Sequence, residues 1–380
     1  MFSYWEQQSF SQYDFIIIGS GIVGLSSAIE LKQRYSDATV LVLERGLMPT
    51  GASTRNAGFA CMGSLTELLD DEQYDSDEEI VKLYARRKKG LEMLRARLGD
   101  DRIGYRANGS YELISDAEMP ALEHMDRMNT LLLPVTGQPA FRAVNDRIET
   151  FGFSPAYTKA LVENTCEGEL HTGMMMRAMI DCALHLGIEI KTGAAVSRFE
   201  EHNDLVTVLV PDTLRGDIWQ LRCRKLLICT NAFTRQLLPD EDVTPGRGQV
   251  MVTSPIEGLK FKGVYHFDKG YYYFREINGR VLLGGGRNKD FAGETATDLA
   301  LSNHIQAHLE QQLREVILPG ASFRIDYRWA GIMGFGSNKQ PLIKAFSDKV
   351  FGAFRMGGMG VALGTETAAA LAEHVERFIS

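Results

Sequence analysis

Three things are scarce in this chain, and each scarcity excludes a class of protein. The 380 residues contain five cysteines, Cys61, Cys166, Cys182, Cys223 and Cys229, odd in number and without C-x-x-C spacing. That excludes a disulfide framework and a cysteine-held metal site, and fits reduced thiols in a cytoplasm. Cys182, Cys223 and Cys229 lie in apolar patterns and are expected to be small buried hydrophobes. Positive charge is in deficit, with 41 Lys and Arg against 49 Asp and Glu and a net charge of −8. Nucleic acid is therefore not expected as a partner, since phosphate binding needs a basic surface. No apolar run approaches the ~18–20 residues that cross a bilayer, so no transmembrane segment is expected. Residues Met1 to Gln12 have neither a basic start nor an apolar centre. That argues against a secretory leader and for a cytoplasmic location.

What the chain does have is ordinary globular composition, 44% apolar and 24% charged, over a length that calls for two domains. The first apolar run, Phe15 to Ile18, reads as a buried parallel strand. A glycine turn and a helix to about Tyr35 follow, then a second strand, Thr39 to Leu43. Helices are expected over residues 77–98, 117–133, 173–186, 295–317 and 361–378. Separate strands are expected at 195–199, 206–210, 218–222 and 225–229, and an antiparallel sheet between Gly248 and Gly284. The α/β pattern at both ends with β-rich sequence between them predicts a mixed α/β fold. A Rossmann-type unit would be assembled from residues 1–100, 160–240 and 330–380, and a second, antiparallel β-rich domain from 101–159 and 241–329.

The segment Gly19-Ser20-Gly21-Ile22-Val23-Gly24 carries the most chemical information. Gly19 permits the tight turn, Gly21 lets backbone approach a pyrophosphate, and Gly24 lets the helix pack on the sheet. The N–H groups at Ile22 and Val23 open the helix and attract phosphate. Glu44, beside Arg45, lies 20 residues past Gly24 at the end of the second strand, where its carboxylate can accept ribose hydroxyls. Strand, glycines, helix and acid together point to a dinucleotide. Three further segments point the same way. One is Gly51 to Gly58, a small-residue loop containing Ala52, Ser53, Arg55, Asn56, Ala57 and Gly58. The second is a strand ending at Thr230 and Asn231. The third is the cluster Gly357-Gly358-Met359-Gly360-Val361, which opens the last helix. A helix start there would stabilise negative charge on a reduced ring. Each cluster taken singly also reads as an ordinary cap, turn or core strand. Only one complete fingerprint is present, so no second, nicotinamide site is expected.

With these motifs the sequence resembles the D-amino acid oxidase-like FAD oxidoreductases, a family that includes glycine and sarcosine oxidases and D-amino acid dehydrogenases. The resemblance runs over nearly the whole chain. It rests on Gly19–Gly24 with Glu44, the loop Gly51–Gly58, Pro245-Gly246-Arg247-Gly248-Gln249, the pair Tyr272–Arg275 and Leu282–Gly285, Trp329-Ala330-Gly331, and Gly358–Val361. It implies an FAD whose adenine meets backbone near Val196, a flavin beside Gly331, and a β-rich domain covering the ring. It also implies hydride transfer from a small amine or amino acid to flavin N5, with oxygen or a quinone as electron acceptor and no obligatory protein base. Trp329-Ala330-Gly331 and Arg55-Asn56 are similar to the amine-oxidising branch, such as the γ-glutamylputrescine oxidases. The alternatives are oxidation of a 2-hydroxy acid, as in L-2-hydroxyglutarate oxidases, or a flavin-dependent tRNA-modification module.

Two departures from the family pattern matter. Where many relatives hold a substrate-clamping Arg, this chain has Ile332 and Met333, so the carboxylate anchor is missing or relocated. Covalent members use a Cys in that stretch. None is present, so a non-covalent FAD is expected. Arg275, Arg355 and Arg247 are the candidate replacement anchors, because Arg suits planar bidentate binding; each also reads as a structural ion pair. Tyr271, Tyr272 and Tyr273 alternate along a strand, so Tyr272 faces away from the other two, and one of the two faces is expected to line the substrate site. The substrate-site candidates are therefore Tyr272, Arg275, Met333 and Arg355, with no catalytic residue assigned. His171 reads as a cap or core histidine.

Overall fold

The computed structural model describes residues 3–212 and 214–379. The apolar run at the start becomes strand β1 (Gln12–Ile18), with Ile16 and Ile17 fully buried. The helix α1 (Ile22–Arg34) returns the chain to β2 (Val40–Leu43), which lies parallel to β1. On the other side of β1 lies β3 (Asp217–Ile228), parallel over its second half. The sheet runs Leu342–Ala345, Val350–Phe354, β3, β1, β2, Glu189–Lys191. Strand β1, inside this parallel sheet, must be apolar on both faces, which is what the unbroken Phe-Ile-Ile-Ile run supplies.

Helices α2 (Asp77–Leu98) and α3 (Gly360–Glu376) pack against each other, and α3 also packs on α1. Ser76 caps α2 in a reciprocal box with Glu79. Gly90 lets α2 come so near α3 that a Cβ there would collide with the Ala362 carbonyl. The core between these helices and the sheet holds Leu25, Ile29, Leu94, Leu363 and Leu371. Truncating any one of them to alanine costs about 2–5 kcal/mol.

A second sheet of eight strands lies across the cavity from the first. It contains β4 (Thr244–Thr253), β5 (Tyr272–Ile277), β6 (Arg280–Gly285) and β7 (Ile325–Phe335). Strand β4 pairs antiparallel with β7 on one side and with β6 on the other. One face buries Phe261, Tyr265, Phe267 and Phe274 against the helix Asn303–Gln312. The strand Ala160–Asn164 also belongs to this sheet.

Three expectations need correction. The strands anticipated at 218–222 and 225–229 are one strand, β3. Its first half pairs with Val206–Asp212 and its second with β1, and the Lys225 ammonium escapes burial by reaching the carbonyls of Asp348 and Phe378. The helix anticipated from residue 295 begins at Asn303, where the Ser302 hydroxyl accepts the Ile305 N–H. In the stretch before it Asp298 pairs with Arg247, and the helix starts only after the Ser302 cap. Residues 116–124 form a 3-10 segment containing Pro120, which has no N–H to give, and the α-helix spans Met125–Thr136.

Candidate functional site

One cavity of about 780 Å³ runs from the first glycine turn to the second sheet. At the glycine-turn end Gly19 adopts φ 104°, and a Cβ there would stand 2.6 Å from the Cys229 carbonyl oxygen. Gly24 packs under the Gly19 carbonyl, leaving no room for a side chain. Helix α1 starts at Gly21 without a side-chain cap, and the Ser53 hydroxyl accepts the Ile22 N–H at 3.0 Å. Glu44 is buried. One carboxylate oxygen accepts the Ser20 hydroxyl at 2.7 Å, and the other accepts the Gly46 N–H at 2.9 Å. Arg45 is exposed and stacks its guanidinium 3.7 Å from the Phe233 ring centre, and Val196 lines the same end.

The loop from Gly51 to Gly58 is a short helical turn, Ala52–Thr54, stitched by its own side chains. The Asn56 amide donates to the carbonyls of Ala52 and Ser53, and its oxygen accepts the Gly58 N–H. Arg55 donates to the carbonyls of Thr50 and Ala330. Ala52, Ser53, Arg55, Asn56 and Ala57 line the cavity, whereas Gly58 is one step behind.

On the opposite wall, Thr230 and Asn231 lie where β3 ends. Asn231 takes φ +46°, and its side-chain oxygen accepts the backbone N–H groups of Arg355 (3.0 Å) and Met356 (3.2 Å). Arg355 itself takes φ +69°, and the Gly357 N–H donates to the Gly334 carbonyl at 2.9 Å. These bonds aim the start of α3 into the cavity. Gly358, Met359, Gly360 and Val361 line it, and no side chain caps the helix. Two helix starts thus face one cavity, the first with its Ile22 N–H on the Ser53 hydroxyl and the second without a side-chain cap, an arrangement that attracts a phosphate at one end and a partly negative ring at the other. A Cβ at Gly358 would meet nothing within 4 Å, which leaves space for a bound group. These residues fit a dinucleotide flavin.

The second sheet closes the far end with Gly248, Tyr273, Gly331, Met333 and Phe335. Gly284 opens the space that the Tyr273 ring fills, and burial pushes the Tyr273 hydroxyl up to about 12. Burial likewise lowers His266 and raises Cys61, which lie with Glu167 in a cluster whose potential ligand atoms are within 4.8 Å of one another. Lys339 bridges Glu67 at 3.1 Å and Asp71 at 2.6 Å. Burial works against the Glu67 carboxylate, but Lys339 and Arg87 outweigh it and hold Glu67 below its ordinary range.

Several substrate-site expectations are corrected by the packing. Tyr272 faces away from the cavity, as its alternation with Tyr271 and Tyr273 requires, and stacks on Phe267 with ring centres 4.7 Å apart. Tyr271 and Tyr273 are the cavity pair. Arg275 is buried under the loop. It donates to the carbonyls of Gly58 and Leu170 and pairs with Glu169 at 3.2 Å. Arg247 is held by Glu294 and Asp298. Arg355 lines the cavity, but its guanidinium is bound by Asp242, Asn338 and the Gln340 carbonyl. Met333 lines the cavity as expected. His171 caps the helix Thr172–His185, its Nδ1 accepting the Met174 N–H. Sequence reading passed over Arg287, whose only local signal is its place directly after Gly284-Gly285-Gly286 at the end of β6.

Comparison with known proteins agrees with this geometry. Residues 14–374 match the model of the DAO family, described as FAD dependent oxidoreductase. The chain is 25% identical over 374 residues to the gamma-glutamylputrescine oxidoreductase of Escherichia coli K12, a match covering 92% of this chain and 80% of that protein. Its fold is similar to that of a glycine oxidase from Geobacillus kaustophilus, with a TM-score of 0.75 at 19% identity over 97% and 96% of the two chains. An L-proline dehydrogenase from P. horikoshii gives a TM-score of 0.75 at 16% identity over 97% and 95%. With a family match that spans nearly all of its length and a cavity built from two helix starts and a glycine-lined sheet, the chain belongs to the DAO family of FAD-dependent oxidoreductases.

Proposed function

We propose that this enzyme oxidises a small amino acid or secondary amine, using an FAD held without a covalent bond. The observation that carries the reading is the continuity of one cavity, from Glu44 and the first glycine turn to a wall of Tyr273, Met333 and Phe335. In this reading Glu44 accepts ribose hydroxyls, and backbone near Val196 meets the adenine. Ile22 and Val23 at the start of α1, with Ala52, Ser53 and the loop from Arg55 to Ala57, face the pyrophosphate, and Gly58 supports that loop from behind. Thr230, Asn231, Gly331 and Gly358 to Val361 surround the flavin. When bound, FAD would supply a two-electron acceptor for a hydride leaving the substrate carbon. The chain's part is to position and to exclude water. Tyr273, Met333 and Phe335 give an apolar, aromatic surface beside that carbon, and no side chain is assigned as base. As the C–H bond breaks, the lone pair of the neutral amine forms the C=N bond.

Residues 1–100, 160–240 and 330–380 make the cofactor unit in this proposal and 101–159 with 241–329 the substrate unit, except that the strand Ala160–Asn164 and the end of β7 from residue 330 to 335 belong to the second sheet. The absence of Cys at positions 331–333 supports non-covalent FAD. Five free cysteines support a reducing, cytoplasmic location. No described helix is long and apolar enough to cross a membrane.

Anaerobic mixing of the holoenzyme with D- and L-amino acids, N-methyl amino acids, polyamines and 2-hydroxy acids tests the reading. Bleaching of the flavin by amines or amino acids is the expected result. Bleaching by hydroxy acids alone would overturn it. Acid precipitation should leave the yellow cofactor in solution, and colour retained in the pellet would exclude the non-covalent bond.

A further inference from the structure

Arg287 stands apart from the other arginines around the cavity. Arg55, Arg87, Arg247, Arg275 and Arg355 all donate to carbonyls or carboxylates, and Arg45 is exposed to water. The Arg287 guanidinium lines the cavity half-buried, and among the described residues it makes no hydrogen bond or ion pair. Its Nε is buried without any partner. The acids near it are already engaged. Glu294 is bound by Arg247 and Gln249, and Asp290 accepts the Gly293 N–H. Burial lowers the Arg287 pKa from its ordinary value by more than the nearby Tyr271 and Glu294 raise it. A desolvated, unpaired guanidinium is costly, and a folded chain retains one where an anion arrives to pair with it.

Its orientation is fixed. The guanidinium carbon lies 4.2 Å from the Phe335 ring centre and 5.1 Å from that of Phe291. Below it is Gly246, where a Cβ would stand 2.9 Å from that carbon. Gly248, two residues along β4 and on the same face, lies beneath Met333 and the Tyr273 hydroxyl. Two strand residues span roughly 7 Å. The guanidinium therefore shares one surface with the side chains that close the reaction end of the cavity.

We infer that Arg287 binds the carboxylate of the substrate, so that the enzyme selects small amines that carry a carboxylate. This rests on the amine-oxidising reading above. A lone planar fork held between two rings matches one planar anion. A carboxylate, planar like the guanidinium, can take two parallel N–H bonds from it.

The test uses holoenzyme and benzoate, with benzamide as the neutral control, followed through the visible flavin spectrum. Benzoate should perturb the spectrum saturably and benzamide should not. In Arg287→Met the benzoate Kd should rise roughly 10- to 150-fold, the loss of a charge-assisted hydrogen-bonded pair. Arg287→Lys should recover part of it, because charge stays while the fork is lost. FAD content and melting temperature should be unchanged in both variants. An equal benzoate Kd in wild type and Arg287→Met, or no response in wild type, overturns the inference. So does a loss of FAD affinity with benzoate binding intact, which would make Arg287 a cofactor ligand. Arg287-dependent benzoate binding with no amine able to reduce the flavin would support the anion site and refute the amine reading. Flavin reduction by amines with a KM unaffected by Arg287→Met would do the reverse.

Discussion

Trp329 donates its indole N–H to the backbone carbonyl of Arg55 at 2.9 Å, and Arg55 returns a guanidinium N–H to the carbonyl of Ala330 at 3.0 Å. The two residues are 274 positions apart in the chain. Their exchange clasps the small-residue loop to β7, and Gly331 beside it has the Arg55 Cβ overhead. Because the loop and β7 both line the cavity, this pair sets its width at the middle.

Replacing Trp329 by Phe keeps an aromatic ring and removes the donor. The lost hydrogen bond is worth about 0.5–1.5 kcal/mol, so FAD should dissociate roughly 2- to 12-fold more readily. Fluorescence titration of apoprotein with FAD reads this directly. An unchanged dissociation constant would mean that the loop keeps its position without the clasp.

Glu44→Ala removes a carboxylate that holds the Ser20 hydroxyl and the Gly46 N–H and lines the cavity beside the first glycine turn. Bonds to a charged acceptor are worth about 1.5–3 kcal/mol, so FAD affinity should fall roughly 10- to 150-fold. The same titration checks it. A variant that binds FAD as tightly as wild type would put the ribose elsewhere.

Arg275→Met should behave as a stability mutation. Its partner Glu169 is buried, with side-chain exposure of 7%, and would be left without its cation. Breaking a buried pair from one side costs about 3–5 kcal/mol. Urea unfolding should show the loss in both apo- and holoprotein. A normal unfolding midpoint combined with a raised KM for an amino acid would restore Arg275 as a substrate anchor.

Glu112 makes stability pH-dependent. Burial, aided by the nearby Glu118 charge, outweighs the hydrogen bonds from Thr66 and Ser64 and raises its carboxyl from 4.5 to about 7. Between those two values the folded chain keeps a proton that the unfolded chain has released, so stability falls as pH rises through that window and levels off above it. The full effect is at most about 3 kcal/mol. Glu112→Gln, whose amide oxygen can still accept both hydroxyls while its NH2 loses the bond from the Thr66 N–H, should flatten the dependence. Parallel unfolding curves for the two proteins from pH 5 to 8 would rule this out.

Much of the structure around the first glycine turn was legible because its logic is local. Gly19, Gly21 and Gly24 shape a turn within six residues. The acid at Glu44 comes one crossover later, and Asp77–Leu98 is bounded by its own capping box and Gly99. The substrate side was not legible in this way. Arg247, Arg275 and Arg355 look alike as letters, and what distinguishes them is which acid the fold brings. Glu294 lies 47 positions from Arg247, and Asp242 lies 113 from Arg355. Leu170, next to Glu169, lies 105 from Arg275. Period-two alternation did separate Tyr272 from its neighbours, but could not say which face meets the cavity.

The sequence by itself determined the glycine turn, the buried parallel strand before it and the family, because these depend on backbone conformation and short-range periodicity. The tertiary structure alone decided which guanidinium is free. Charge compensation is a property of space, and Arg287 is distinguished from its neighbours only by the carboxylates that did not reach it.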